Sequence, residues 1–273
     1  MRVSVFCCQH KKYSKYDFDC VRYVQVGKAL SKSDLGIIGD DTGDNISDKN
    51  PYFSELTATY WIWRNCSDDV VGLVHYRRFF NLSDKSHKVV LNFKKLSVLE
   101  LDCGRISQMM EDCDVILPKQ YCFLNKAGKH YEKGWYANDM RIVMRCIKEK
   151  YPDIYPYAVE CMNKRWGYCF NMLIAKKSLF DEYASFLFGV LFEVEKEIQP
   201  ELDSRNSYQR RAYGFLAEHL MTIFMTYKRS ACGVRIIERQ VSNCFENGFS
   251  EAFDFFRREV KFGVQDIFGI RRG

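Results

Sequence analysis

Short apolar runs bounded by polar or turn residues recur along the chain and alternate with stretches of helical period. Val3 to Cys8 is the first such run, and Tyr23 to Val26 and Leu35 to Ile38 follow it. Continuous runs of this length predict strands buried on both faces, as in a parallel sheet. Asp40-Asp41-Thr42-Gly43-Asp44-Asn45 then predicts a polar loop. From Asn50 the period changes. Asn50 is a good N-cap and Pro51 suits the first helical position, while Phe53, Leu56, Tyr60 and Trp63 repeat at helical spacing. A short strand, Val70 to Val74, stops at His75-Tyr76-Arg77-Arg78. Asp114 to Pro118 predicts another strand, followed by a loop through His130, Tyr131 and Trp135. A helix begins near Asn138-Asp139, and Trp166 to Ile174 reads as a late strand interrupted by Asn171. Two further helices cover Phe180 to Ile198 and Tyr208 to Tyr227. The alternation predicts an α/β fold with a mostly parallel, Rossmann-like central sheet flanked by helices and a helical C-terminal portion. Residues 1–227 are read as the main domain, and 228–273 as a helical extension packed on it.

Composition narrows the class. With 273 residues the chain has room for one large core. No apolar run reaches the length of a membrane-spanning helix, and the first apolar stretch is too short for a signal-peptide core. Twelve cysteines without a C-x-x-C pair predict reduced thiols and a cytoplasmic location. A net charge of +6 suits an anionic partner, either a nucleotide diphosphate or an acidic lipid surface. No zinc finger, RNP-like aromatic motif or long basic helix calls for nucleic acid. The phosphate-loop, dinucleotide, nucleophile-elbow and H-E-x-x-H motifs are all missing, which removes the commonest NTPase, dehydrogenase, hydrolase and metalloprotease readings.

His75, Tyr76, Arg77 and Arg78 form the strongest positive feature. In an open α/β sheet, ligands gather at the carboxyl ends of strands. Two guanidinium groups there can grip a pyrophosphate and stabilise its charge as it leaves. A structural ion pair with Asp68 or Asp69 is the plain alternative. His10 and Lys11 follow the first strand at the same sheet edge, and Asp44 and Asn45 could hold a ribose or simply make a turn. Glu55 lies off the apolar stripe of its helix and is either solvated or aimed at the pocket. Glu218, in an otherwise apolar helix, could act as base for an acceptor hydroxyl or be a paired structural charge. Asn171 within an apolar run needs hydrogen bonds, from a loop or from a sugar. His130, Tyr131, Asn138, Asp139 and Trp166 complete the candidate acceptor and sugar contacts. Asp112-Cys113-Asp114 is formally a D-x-D, but it stands at the start of a strand rather than the end.

Asn50-Pro51-Tyr52-x-Ser54-Glu55-Leu56-Thr57 through Trp61-x-Trp63, then Gly72-Leu73-x-His75-Tyr76-Arg77-Arg78, resembles the DUF4422 proteins of capsule and exopolysaccharide loci. The resemblance implies a GT-A-like glycosyltransferase that takes galactofuranose or galactopyranose from a UDP-sugar. Its acceptor would be a lipid-linked glycan of capsule, exopolysaccharide or O-antigen synthesis. It also implies that Asn50, Glu55 and Tyr76 belong with the nucleotide-sugar site. Cationic side chains stand where such enzymes usually carry metal ligands, so no cofactor is expected and Mn2+ or Mg2+ is not favoured. The enzyme would work at the cytoplasmic membrane face, and the aromatic and basic stretch from Phe253 to Phe268 could lie in that interface. A non-catalytic nucleotide- or glycan-binding protein of the same fold, or less readily a nucleic-acid-binding module, remains the alternative.

Overall fold

Strand β1 (Val3–Gln9) shows why its sequence reads as an unbroken apolar run. Side chains alternate across a strand, and here both faces are covered. Phe6 and Cys8 enter one core, while Val5 and Cys7 enter a second core on the opposite face. The computed structural model describes residues 1–246 and 248–257. In chain order β2 (Val21–Gln25) and β3 (Ile38–Gly39) come next, then a helix in two pieces, α1 (Asn50–Phe53) and α2 (Leu56–Asn65). Asn50 is the first residue of α1 rather than its cap, and Ser54, at φ 52°, breaks the helix. Strands β4 (Val70–His75), β5 (Arg78–Asn81) and β6 (Val89–Val90) lead to α3 (Cys103–Asp112) and β7 (Val115–Pro118). After β8 (Tyr121–Cys122) come helices α4 (Ala127–Gly134), α5 (Ala137–Lys150) and α6 (Tyr155–Asn163). The loop expected around His130 and Tyr131 is therefore helical. The chain continues through β9 (Trp166–Gly167), β10 (Leu173–Lys176), α7 (Lys177–Leu202), α8 (Ala212–Cys232) and β11 (Ile236–Cys244). A further helical segment covers 248–257.

The expected mostly parallel, Rossmann-like sheet is not what forms. Strands β3, β2, β1 and β4 do pair in parallel. Beyond β4, however, the sheet closes on itself in a mixed ring of five strands: β4, β10, β7, β11 and β5. Pairings β4–β10, β10–β7, β11–β5 and β4–β5 are antiparallel, and within the ring only β7–β11 is parallel. Two features defeat a periodicity argument here. The Trp166-to-Ile174 run is two strands, because Phe170 (φ 80°) and Asn171 (φ 50°) take left-handed backbone and turn the chain. The second feature lies after residue 227, where a helical portion is expected. That stretch instead supplies β11, inserted between β5 and β7.

Gly72 makes the closure possible. A Cβ there would sit 2.9 Å from the Leu173 carbonyl oxygen and 2.8 Å from an Ile174 side-chain carbon, so β10 can pair this closely beside β4 only at a glycine. The ring is also fastened by charge. Asp114, entering β7, pairs with Lys176 of β10 at 2.7 Å and with Arg235, before β11, at 3.4 Å. Partial burial disfavours the carboxylate, but Lys176 and Arg235 overcome this and hold Asp114 down at about 2. A folded pKa below the unfolded value of about 3.9 adds stability above that value, which is lost as pH falls toward 2. Asp114→Asn should therefore flatten the acid limb of a stability-against-pH curve between about pH 4 and 2. Superimposable curves for variant and wild type would contradict this role. The same contacts engage the D-x-D aspartate with cations.

Candidate active site

The core of the site is a chain of hydrogen bonds around the strained turn at 170–171. The main-chain N–H of Phe170 donates to Glu218 Oε1 of α8 at 2.7 Å. Its carbonyl accepts from His75 Nε2, at the end of β4, at 2.7 Å. Because a carbonyl can only accept, the His75 proton lies on Nε2, and Nδ1 faces the Cys8 sulfur at 3.6 Å, whose thiol donates to the Val74 carbonyl at 3.4 Å. Asn171 Nδ2 donates to Glu55 Oε1 at 2.7 Å and to the Gly214 carbonyl at 2.9 Å. Two left-handed, non-glycine residues in succession are costly, and the surrounding side chains fix them in place. Three elements distant in sequence are thereby locked together: α2, β4 and α8.

The electrostatics follow from burial and neighbours. Burial disfavours the Glu55 carboxylate, yet His75, Arg211 and the Asn171 amide outweigh it and keep its pKa below the ordinary carboxylate range. Arg211 approaches Glu55 at 3.6 Å and also donates to Ser54 Oγ at 2.7 Å. Burial lowers the His75 pKa, with Glu55 opposing and Arg78 assisting. His219 is pushed down to about 3 by burial, and His130 adds to the effect. The turn between β4 and β5 carries Tyr76 and Arg77. Arg77 is paired with Glu251 of the 248–257 helix at 3.0 Å and donates to the Tyr76 hydroxyl at 2.9 Å. Its structural partner is thus Glu251, not Asp68 or Asp69. Tyr13 also donates to Glu251, at 2.8 Å, which ties that helix across the site. The Arg78 guanidinium lies over the Phe170 ring, 4.5 Å from its centroid.

These groups border a cleft of about 540 Å³. Of the residues expected in the site, Glu55, His75, Tyr76, Arg77, Arg78, His130, Tyr131 and Glu218 line it. Asn171 holds Glu55 and the Gly214 carbonyl without lining the cleft. His10 and Lys11 pack on Tyr76, 5.3 and 5.8 Å from its ring centre, and so stand near the turn rather than in the cleft. The remaining candidates lie elsewhere. Asp44 accepts from Arg64 at 2.6 Å and from Tyr60 at 3.1 Å on the surface of α2. Asn45 closes its own loop by bonding Gly43 and Ser47. Asn50 bonds the Ser54 carbonyl and Thr57 inside the broken helix. Asn138 is exposed and bonds Arg141. Asp139 is buried in a two-bond pair with Arg205 at 2.6 and 2.8 Å. The Trp166 ring lies beneath Lys164, at 5.5 Å.

Sequence reasoning did not pick out several lining residues. Arg211 supplies a third cation, and its only signal is an Arg-Arg pair just before a helix. Phe123, Trp135, Tyr208 and Phe215 build an aromatic wall, with His130 stacked on Phe123 at 4.5 Å and Trp135 packed on Phe215 at 4.5 Å. Phe245 and Phe255 add to the lining from the C-terminal side. A largely aromatic pocket with a few convergent charged groups is how small-molecule sites are generally built. Among the described residues one cluster brings metal-ligand atoms together, Asp19, Cys20 and Cys103, and none of the three lines the cleft.

Comparison with known proteins fits this picture. A family profile described as a domain of unknown function, DUF4422, matches residues 4–229. The chain belongs to the DUF4422 family. The resemblance carried by Asn50 to Arg78 is thereby borne out, and those residues furnish Glu55 and the whole β4–β5 turn of the cleft. This DUF4422 chain also superposes on the apo structure of the WbbM bifunctional glycosyltransferase with a TM-score of 0.84 and 30% identity. The match covers 89% of this chain and 45% of that one, so the chain spans less than half of that protein's length. Its structure is glycosyltransferase-like. Curated proteins give no match. Among the described residues no helix is long and apolar enough to cross a membrane. Of the stretch from Phe253 to Phe268 expected to lie in a membrane interface, residues 258–268 fall outside the described residues.

Proposed function

We propose that this DUF4422 protein transfers a galactosyl group, as galactofuranose or galactopyranose, from a UDP-sugar to a lipid-linked glycan in surface-polysaccharide synthesis at the cytoplasmic membrane face. The observation that carries this reading is the make-up of one cleft. Arg77, Arg78 and Arg211 enter it together with Glu218 and an aromatic wall, in a chain similar to a glycosyltransferase. The arginines take the diphosphate and neutralise it as it leaves, without a divalent ion. The aromatic wall holds sugar rings by their apolar faces. In the reaction the acceptor hydroxyl oxygen bonds to the sugar's anomeric carbon, and the bond from that carbon to the diphosphate breaks. UDP leaves with the electron pair, and the hydroxyl proton passes to Glu218.

Thermal unfolding with UDP in the presence of EDTA tests the donor half. UDP at about 100 times its dissociation constant should add roughly 2.7 kcal/mol. Arg78→Ala combined with Arg211→Ala should remove the shift. A shift that appears only with manganese keeps the transferase and overturns the role given to the arginines. UDP binding with neither sugar transfer nor donor hydrolysis identifies a non-catalytic binding protein. Indifference to every nucleoside diphosphate overturns the reading.

A further inference from the structure

Most of the chain's net positive charge falls in one stretch of its sequence. Residues 119–165 hold ten Lys and Arg against five Asp and Glu, a net +5 of the chain's +6. Of those five acids, Asp139 is buried against Arg205 and Glu160 is paired with Lys164, while Arg145 and Lys150 reach Glu197 and Glu193 of α7. Arg141, Arg145 and Lys148 stand at i, i+4 and i+7 of α5 and share one stripe. All three are exposed, although Arg145 also reaches Glu197 of α7. The stripe borders a groove of about 490 Å³ between α4, α5 and α6, floored by Met140, Met144, Val159 and Met162. Val159 is 39% exposed, and Tyr121 and Leu124, just before α4, are 58% and 55% exposed. Flexible thioethers beneath a row of cations form a surface that accepts acyl chains below and phosphates above.

This groove is set against the cleft. Helix α4 divides them, with Gly128 and Glu132 on the groove and His130 and Tyr131 on the cleft. Tyr121 belongs to the cleft lining as well as to the exposed apolar set. We propose that the α4–α6 face, through Arg141, Arg145, Lys148 and the methionine groove, docks on an anionic phospholipid surface and so holds the cleft's aromatic mouth against it. Charge complementarity commits the face to lipid phosphate. The second half of the inference, delivery of a lipid-linked acceptor, rests on the transferase reading above.

Co-sedimentation of the intact protein with vesicles tests the docking without nucleotide or acceptor, and therefore independently of catalysis. Vesicles rich in phosphatidylglycerol should bind it and pure phosphatidylcholine should not, with the binding weakened by salt. Arg141→Glu, Arg145→Glu and Lys148→Glu together should lower the partition coefficient at least roughly 100-fold. The milder Arg141→Gln with Lys148→Gln should give an intermediate loss, and UDP-dependent thermal stabilisation should persist in both. Equal binding by wild type and charge-reversed protein overturns the proposal, as does equal binding to neutral and anionic vesicles. A wild type that ignores vesicles but binds polyglutamate through the same three residues overturns it in favour of an acidic protein partner. If vesicles bind as expected while UDP gives no shift, the docking stands and the transferase reading falls.

Discussion

Asp139→Ala is expected to lower the unfolding free energy by about 3–5 kcal/mol, the usual cost of leaving one member of a buried ion pair without its partner. Both side chains are almost fully sequestered, Asp139 at 0% and Arg205 at 2% exposure. The pair is bidentate, at 2.6 and 2.8 Å, the Tyr131 hydroxyl also donates to Asp139, and the Arg205 guanidinium lies 3.9 Å from the centre of the Tyr136 ring. Alanine would leave the buried guanidinium with only the exposed Glu201 carboxylate, 3.6 Å away, as counter-charge. For a chain of this size the loss corresponds to a fall in Tm of roughly 6–20 °C. Asp139→Leu with Arg205→Met removes both charges and should restore most of the stability, since well-packed apolar replacements of buried pairs are often neutral or better. A single substitution costing less than about 1 kcal/mol would contradict this account. So would a double variant no better than the single one. The result also separates two roles for Asp139: a sugar ligand would lose affinity with its fold intact, whereas this residue should lose the fold around α5 first.

The same residue shows what could be read from the sequence and what could not. Helix α5 was legible, because Met140, Val143, Met144 and Ile147 mark its apolar stripe in any local window. The destination of Asp139 was not, because Arg205 lies 66 positions away and nothing local announces the pairing. The β4 strand and the polar cluster after it were legible for a comparable reason: an apolar run halts abruptly at His75. The ring closure was hidden because it depends on which strand pairs beside Gly72, and strand direction leaves no trace in composition. β11 was hidden too. It is half-exposed along most of its length and mixes Glu238, Arg239 and Gln240 into its middle, so it lacks the unbroken apolar signature of β1.

The candidate site divides along the same line. Residues announced by an anomaly were found: a charge in an apolar helix for Glu218, and a polar cluster at a strand end for His75 to Arg78. Residues acting through ordinary identity were missed. Trp135 and Phe215 are indistinguishable in sequence from core aromatics, and become a wall only once α4 and α8 meet across the cleft. Asp44 and Asn45 lie outside the cleft. Their polar, turn-forming stretch satisfies itself internally, as such loops usually do.

Glu218→Gln is expected to reduce the transfer rate by about 10²–10⁴-fold, the range associated with losing a general base, with little change in fold or UDP binding. The choice of glutamine matters. Glu218 also accepts the main-chain N–H of Phe170 at 2.7 Å, and an amide oxygen can keep that bond while the ability to take a proton disappears. Alanine would instead free the Phe170 N–H and release the left-handed turn at 170–171, mixing structural loss with chemical loss. Glu55 is the other carboxylate lining the cleft among the described residues, and its situation differs. Arg211, His75 and Asn171 all favour its charged form, which makes it a weak base and a strong fastener. Glu55→Gln should therefore lower Tm together with activity, and its stability change should carry the pH signature of a depressed carboxyl. That signature is a contribution present above the unfolded pKa of about 4.3 and lost as pH falls below it. Near-wild-type transfer by Glu218→Gln, beside a rate loss in Glu55→Gln that exceeds what its Tm explains, would move the base from α8 to the start of α2. The Glu55–Arg211 contact would then open when acceptor binds, and Arg211 would be released toward the diphosphate in the same step.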